Sequence, residues 1–397
     1  MAETADVVVI GGGVIGTSIA FALATAGVKR VTLLEKGALA SGASGRSSAL
    51  IRMHYVNEED ARLAWASFPV FRDWTERMGG SPVFTHTGFV AVVGHPDAAA
   101  LHANVEMLRK IGVDTSALSP ADLKALQPFV NVDDVGAAAY EPASGYASPA
   151  DVVEGFRRRA RELGAQVREW TPAGALVRQG RRVTGVETSG GRIDAGAVVV
   201  AGGAWARPLC SAIGVELPAR TKAIHTVLVT RPPELASPHM TVIDVVQGTY
   251  FRPESTVLTI VGVPSTDYDI DPDTLGTGLP PHAAGEGARL LTHRIPAMEG
   301  ATLARGFTAF DLYSADRHAI LGPVEGLDGF YLATAFSGSG FKIAPAVGTS
   351  LAELILDGVA KTVDLRAFRF SRFAEGQPLE GPHPYAPDRV GRPSVVV

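Results

Sequence analysis

The stretch Asp6-Val7-Val8-Val9-Ile10-Gly11-Gly12-Gly13-Val14-Ile15-Gly16 decides the fold of this chain. Its opening residues form a β-branched run of the kind buried on both faces of a parallel sheet. Glycines follow at once in a G-x-G-x-x-G pattern, and Thr17 to Ala24 then reads as a helix ending near Gly27. Gly11 permits a tight turn, Gly13 lets the backbone approach a pyrophosphate, and Gly16 lets the helix lie close on the strand. Val14 and Ile15 open the helix, whose unpaired N–H groups and dipole favour an anion. A second strand, Arg30 to Leu34, ends in Glu35, 19 residues after Gly16, with Lys36 beside it. An acid there accepts hydrogen bonds from an adenosine ribose, and Glu rather than Arg argues against a 2′-phosphate. Strand, glycines, helix, strand and acid in this order predict a dinucleotide-binding unit.

Composition bounds the rest. The 397 residues are 46% hydrophobic and 19% charged, enough chain for two or three domains around a sizeable core. The single cysteine excludes a disulfide framework and any multi-cysteine zinc or iron–sulfur site. With 36 basic against 41 acidic residues the net charge is −5, which gives no electrostatic case for nucleic acid. No apolar run of about 18 residues occurs. The most apolar stretch, Val7 to Val28, is broken by glycines and has no basic segment before it. A soluble, cytoplasmic protein with no membrane span is expected, and no histidine pair has metal-ligand spacing.

After Glu35 the chain enters a small, hydroxyl-rich segment, Gly37 to Ala49, in which Ala43, Ser44, Arg46, Ser47, Ser48, Ala49 and the following Leu50 can wrap a diphosphate and a flat ring system. From here the sequence resembles the flavoprotein family of D-amino-acid oxidase, glycine oxidase and sarcosine oxidase, nearest in motif to the sarcosine-oxidase-like members. Three further segments carry the resemblance: Thr85 to Val90 around Gly88, Val198 to Trp205, and Phe330 to Lys342. In the family's order they span nearly the whole chain. The resemblance implies a Rossmann-like FAD-binding domain (parallel sheet, helices, β-hairpin insert) and a mostly antiparallel β substrate domain. The first is expected from residues 1–84, 148–217 and 304–376, the second from 85–147 and 218–303, and 377–397 is a Pro- and Gly-rich tail that wraps the surface or is mobile. Within this scheme Pro149 to Leu163 reads as a helix capped by Ser148. Gly164 to Arg168 is a return strand bringing Val167 near the cofactor, and a hairpin turns at Gln179-Gly180. Val198 to Val200 delivers Ala201, Gly202 and Trp205.

The C-terminal motif places a strand, Phe330 to Ala333, before the turn Ser337-Gly338-Ser339-Gly340 and a helix from Phe341 to Asp357. Amides of Gly338, Ser339, Gly340, Phe341 and Lys342 can then meet the flavin N1–C2=O edge, where reduced flavin is anionic. Some relatives attach the flavin through a cysteine where this chain has Ala309, others through a histidine where it has Arg46. Cys210 follows a helical stretch and reads as core, so noncovalent FAD is expected.

Arg52 and Lys342 resemble the pair that grips the substrate carboxylate in monomeric sarcosine oxidase. A guanidinium binds a carboxylate bidentately and a lysine adds a point charge. The plainer alternative makes Arg52 a structural ion pair and lets Lys342 reach solvent. Tyr55, Asp311 and His225 complete the candidate catalytic set. His54 and His318 also lie near motif segments, and His225, on an alternating strand, is the histidine expected to face the flavin. Three departures matter. Ala49 replaces an arginine of that relative, and the strand Thr259-Ile260-Val261 lacks its oxygen-activating lysine. The electron acceptor is therefore either O2 or a protein or quinone. Asp311 stands where D-amino-acid and glycine oxidases carry a carboxylate-binding arginine, which argues against a simple D-amino acid. It could pair with a cationic part of the substrate or form a structural bridge.

The expected function is FAD-dependent oxidation of the C–N bond of a small N-substituted amino acid bearing a carboxylate, of the sarcosine, dimethylglycine or iminodiacetate type. The alternatives are a flavin-bearing subunit of a hetero-oligomeric dehydrogenase and a 2-hydroxy-acid dehydrogenase of the same fold.

Overall fold

The valine-rich opening run is an inner strand because both its neighbours and both its faces are protein. In the computed structural model, which describes residues 3–235 and 238–385, strand Glu3–Ile10 pairs in parallel with Val31–Leu34 on one side and Gly191–Val200 on the other. Gln166–Arg168 extends the parallel set beyond Val31–Leu34, and Phe330–Thr334 joins it beside Val198 to Val200. Val8 and Val9 are fully buried, and each such side chain contributes about 1.5–3 kcal/mol. Helices Val14–Thr25, Pro149–Glu162 and Gly340–Asp357 cover this sheet. Ser18 Oγ donates to the Ala344 carbonyl at 2.8 Å, and Phe21 meets Phe156 with ring centroids 5.7 Å apart. Ser148 occupies the N-cap of its helix, but its side chain makes no capping hydrogen bond, so fixed φ at Pro149 is what starts that helix. The hairpin Ala173–Gln179 and Arg182–Thr188 forms the antiparallel edge.

The second sheet has eight strands in the order Thr302–Ser314, Ala219–Thr230, Leu258–Val263, Thr249–Glu254, Thr241–Asp244, Phe89–Val93, Ala137–Glu141 and Ser116–Leu118. All its pairs are antiparallel except Thr241–Asp244 with Phe89–Val93. The two separated sequence blocks thus share one sheet. Thr302–Ser314, which the sequence assigned almost wholly to the nucleotide unit, is a member of this antiparallel sheet. It pairs with Ala219–Thr230 from Ser314↔Ala219 to Thr302↔Thr230, while its far end reaches the nucleotide side through an isolated bridge, Tyr313↔Phe336.

The start of the tail, up to Tyr385, wraps the surface as a strap. Leu379 N donates to Asp316 Oδ2 at 3.0 Å, Asn104 Nδ2 donates to the His383 carbonyl at 3.0 Å, and Tyr385 is buried. Expectations for 386–397 lie outside the described residues. No helix among the described residues is long and apolar enough to cross a membrane.

Candidate active site

One cavity of about 550 Å³ runs between the two sheets from Glu35 to Lys342. The four glycine-rich segments singled out in the sequence (residues 11–15, 35–50, 201–205 and 338–342) all reach its wall, whereas Gly16, Ala49, Val167 and Ser339 are not among its lining residues. Gly16 works from behind: a Cβ there would lie 1.8 Å from the Gly11 carbonyl oxygen. Gly11 has φ +113°, and a Cβ on it would sit 2.4 Å from the Ala201 carbonyl oxygen, so only glycine makes this turn. Glu35 accepts from Gly12 N at 2.7 Å and Gly37 N at 2.8 Å, which fixes its carboxylate at the cavity wall. Ser44 Oγ accepts from Val14 N at 2.9 Å and so places the hydroxyl-rich loop directly on the helix N-terminus. Arg46 donates to the carbonyls of Ser41 and Gly42, curling the loop upon itself. Trp205 donates to Asp273 at 3.0 Å, and Lys36 lies 3.9 Å above the indole ring. Asp273 escaped the sequence reading because it sits in irregular chain with no motif around it.

At the other end, Ala335, Ser337 and Gly338 have φ of +56°, +53° and +87°. Left-handed backbone costs about 1–2 kcal/mol at each non-glycine position. Hydrogen bonds from the antiparallel sheet hold it: Ser337 N to the Leu312 carbonyl at 3.0 Å, Ser314 N to Ser337 Oγ at 3.1 Å, and Gly338 N to Asp311 Oδ2 at 2.7 Å. Asp311 Oδ1 accepts from Leu312 N at 2.8 Å. One oxygen thus serves the turn and the other the strand's own backbone. Burial pushes the Asp311 carboxyl up to about 6, against the pull of the Gly338 and Leu312 amides and the Lys342 cation.

Arg52 and Lys342 meet at this end. Arg52 is 2% exposed and Lys342 6% exposed, so neither forms a surface ion pair or reaches solvent. The Arg52 guanidinium donates to the His54 carbonyl and lies 4.6 Å from the centroid of the Tyr55 ring; Lys342 Nζ lies 5.7 Å from the same centroid. Tyr55 is not among the residues lining the cavity, and its ring lies close to both cationic groups. Burial first, and the Arg52 charge second, hold Lys342 well below the ordinary lysine value. Burial and Arg52 likewise push His54 down to about 3, and its neutral ring shares a 2.6 Å hydrogen bond with the Tyr385 hydroxyl. His318 is held by Asp60 at 2.6 Å, away from the cavity lining.

His225 is a correction. Lys222, Ala223 and Ile224 all line the cavity, whereas His225, the next residue on the strand, lies beyond it. There it bonds Thr308 Oγ1 at 3.0 Å and lines a separate polar cavity with His282 and Asp267. Lys222 is a wall residue that motif reading missed. Cys210 is buried in the core, its thiol pushed up to about 12 by burial, and Ala309 lines the cavity without it.

The sequence profile of the DAO family, described as FAD-dependent oxidoreductase, matches residues 6–354. The chain belongs to this family of FAD-dependent oxidoreductases. Its relatives include a mouse FAD-dependent oxidoreductase domain-containing protein 1, 28% identical over 95% of this chain and 86% of that protein. Sarcosine oxidase subunit beta of Rhodobacter capsulatus is 26% identical over 94% of this chain and 89% of its own length. Among solved structures, L-proline dehydrogenase from P. horikoshii superposes with a TM-score of 0.86 at 29% identity, covering 96% of this chain and all of that one. Two of these relatives are named for amino-acid substrates, sarcosine and L-proline.

The residues present fit FAD. A Cβ on Gly13 would meet Ser44 Oγ at 2.9 Å, the hydroxyl that accepts from Val14 N, so a side chain there would push the hydroxyl-rich loop off the helix N-terminus. Residues 11–15 and 42–48 would hold the diphosphate, Glu35 the ribose, and residues 338–342 the flavin carbonyl edge.

Proposed function

We propose that this oxidoreductase breaks a C–H bond next to the nitrogen of a small N-substituted amino acid, of the sarcosine, dimethylglycine or iminodiacetate type. The reading rests on one observation above all: two buried cations, Arg52 and Lys342, share one aromatic floor where the helix Gly340–Asp357 begins. Burying two like charges side by side is costly, and a carboxylate entering between them is what offsets that cost. FAD, when bound, supplies the two-electron acceptor. Arg52 grips the substrate carboxylate through its fork and Lys342 adds a second contact. Their field also disfavours a third positive charge, so the substrate amine enters neutral, with the lone pair that oxidation requires. As hydride leaves the carbon, that lone pair closes the C=N bond; water then adds to the imine, giving an aldehyde and the shorter amine. Asp311 holds Gly338 in place, which keeps the amides of the turn aimed at the cofactor edge.

Noncovalent attachment is part of the proposal, because Ala309 and Arg46 stand at the two positions considered for a link. Acid precipitation that leaves yellow colour in the pellet overturns it. Anaerobic mixing of holoenzyme with an amine panel tests the reaction: N-methyl amino acids should bleach the flavin and 2-hydroxy acids should not. Bleaching by 2-hydroxy acids alone would assign the chemistry to the other class. A second reading, supported by the relative named as a subunit beta, makes this chain one part of a hetero-oligomer whose partner carries electrons onward. Oxygen consumption by the purified chain alone separates the two.

A further inference from the structure

The chain between strand Leu258–Val263 and helix Pro281–Arg294 has no helix or strand of its own, yet it is fixed near both ends to the antiparallel sheet. Ala223 N donates to the Asp267 carbonyl at 2.9 Å, and Arg220 pairs with Asp269. Further on, Thr308 N donates to the Thr277 carbonyl at 3.1 Å and Thr308 Oγ1 to that of Gly278 at 2.8 Å. Between these anchors Asp271 folds the chain into a turn, its side chain accepting from Asp273 N at 2.9 Å and its carbonyl from Leu275 N at 3.0 Å. The turn presents Asp273 to the nucleotide side. There one carboxylate oxygen, Oδ1, accepts from Lys36 Nζ at 2.5 Å and from Trp205 Nε1 at 3.0 Å. The Lys36 bond chiefly, helped by the Trp205 bond and opposed by slight burial, holds the Asp273 carboxyl below the ordinary aspartate value. Lys36 and Trp205 line the cavity that fits FAD, and Asp273 does not. The indole also rests against two other parts of the wall. A Cβ on Gly42 would lie 3.2 Å from it, and Phe310 meets it edge-on with ring centroids 5.3 Å apart.

From this placement we propose that Asp273 is a cofactor-retaining residue that does not touch the cofactor: from outside the cavity it pins Lys36 and Trp205 in their wall positions and so latches the passage by which FAD enters and leaves. The substrate proposed above plays no part in this inference, which rests on noncovalent attachment of the flavin. The strength of the contact suits a latch. The Lys36 and Asp273 side chains are 41% and 60% exposed, so their pairing is weak, screened by salt and readily broken. Once it breaks, the Lys36 side chain and the indole lose the partner that the substrate-side segment supplies, and both are free to swing off the wall. The anchors at Ala223 and Thr308 are backbone bonds to a sheet, and they let the turn return to the same place. A latch outside the cavity acts on passage in both directions, whereas a contact with bound FAD would slow release alone.

Cofactor exchange tests this without any turnover. Release of FAD from diluted holoenzyme and its uptake by apoprotein are both followed by flavin fluorescence. In Asp273→Ala both rates should rise about three- to tenfold, and the dissociation constant should change less than either rate. Raising the salt from about 0.02 to about 0.5 M should speed release from the wild-type protein by a similar factor and leave Asp273→Ala almost unaffected. Asp273→Asn, which keeps an acceptor for Trp205 without the charge, should fall between the two. Release from Asp273→Ala within about 1.5-fold of wild type overturns the latch, as does a salt effect that persists in that variant. Faster release with unchanged uptake overturns it too, by making Asp273 a contact of the bound cofactor. The urea midpoint of the apoprotein is the control for folding: a fall in Asp273→Ala that accounts for the faster release reduces the residue to a structural staple. Flavin that stays with acid-precipitated protein strikes the attachment instead, and with it any exchange to be gated.

Discussion

Removing Arg52 tests the carboxylate clamp most sharply, because it should change two quantities at once. Loss of a buried guanidinium that pairs with a carboxylate is worth about 2–3 kcal/mol, so Arg52→Ala should raise the dissociation constant of a non-reacting monocarboxylate about 30- to 150-fold. The second effect comes from Lys342. Arg52 is one of the causes that hold that lysine far below its ordinary value, the other and larger being burial. In the wild-type protein, carboxylate binding weakens as pH rises through the lowered Lys342 value, because the ammonium loses its proton there. With Arg52 gone, Lys342 keeps its proton to higher pH, and the alkaline fall in affinity should move upward. The assay is flavin absorbance against acetate concentration from pH 5 to 10, with Arg52→Lys as a partial rescue and FAD content as the control for folding. An affinity within about threefold of wild type, or an alkaline limb that stays in place, would refute the clamp.

Gly11→Ala should abolish FAD retention, since it forces a side chain into φ +113° and within 2.4 Å of the Ala201 oxygen; the cost is at least ~2 kcal/mol, read as FAD released on gel filtration. Asp311, whose folded value of about 6 exceeds the usual 3.8, takes up a proton as pH falls through 6, which stabilises the folded chain in that window but weakens the acceptor for Gly338 N. Flavin fluorescence should therefore titrate near pH 6 in the wild type, and a titration that survives in Asp311→Asn would remove Asp311 from that role. Tyr385→Phe leaves His54 Nε2 buried without its 2.6 Å partner and should cost about 1–3 kcal/mol in urea unfolding. It should also weaken carboxylate binding more than FAD binding, because the His54 carbonyl seats Arg52.

What the sequence made legible was whatever depends on local pattern. The nucleotide half was readable because a valine run, three spaced glycines and an acid must follow in that order for the backbone to reach a diphosphate, and each occupies its expected place. Arg52 and Lys342 were readable because they flank recognisable segments. His225 went wrong for a simple reason: a strand shows alternation, but sequence alone does not say which of its residues reach the cavity, and here the wall ends at Ile224. Lys222 was overlooked for the same reason. Asp311 appeared as a position of unexpected charge, while its task of holding a left-handed turn 27 residues further on depends on the Tyr313↔Phe336 bridge, which no local pattern announces. The Tyr385 strap joins residues 331 positions apart, beyond any periodicity.

Strand Thr302–Ser314 gives the molecule an unusual mechanical constraint. It is stitched along its length into the antiparallel sheet, yet Asp311, Leu312 and Ser314 at its end support the turn that faces the cofactor. A swing of one sheet away from the other, as in a two-jawed clamp, would drag that turn with it and lose the cofactor contacts along with the substrate. Traffic through the cavity should therefore use small movements of wall segments such as Pro264-Ser265, with the frame held still. Turnover in this architecture should respond to stiffening of the rim far more than to a crosslink between the two sheets.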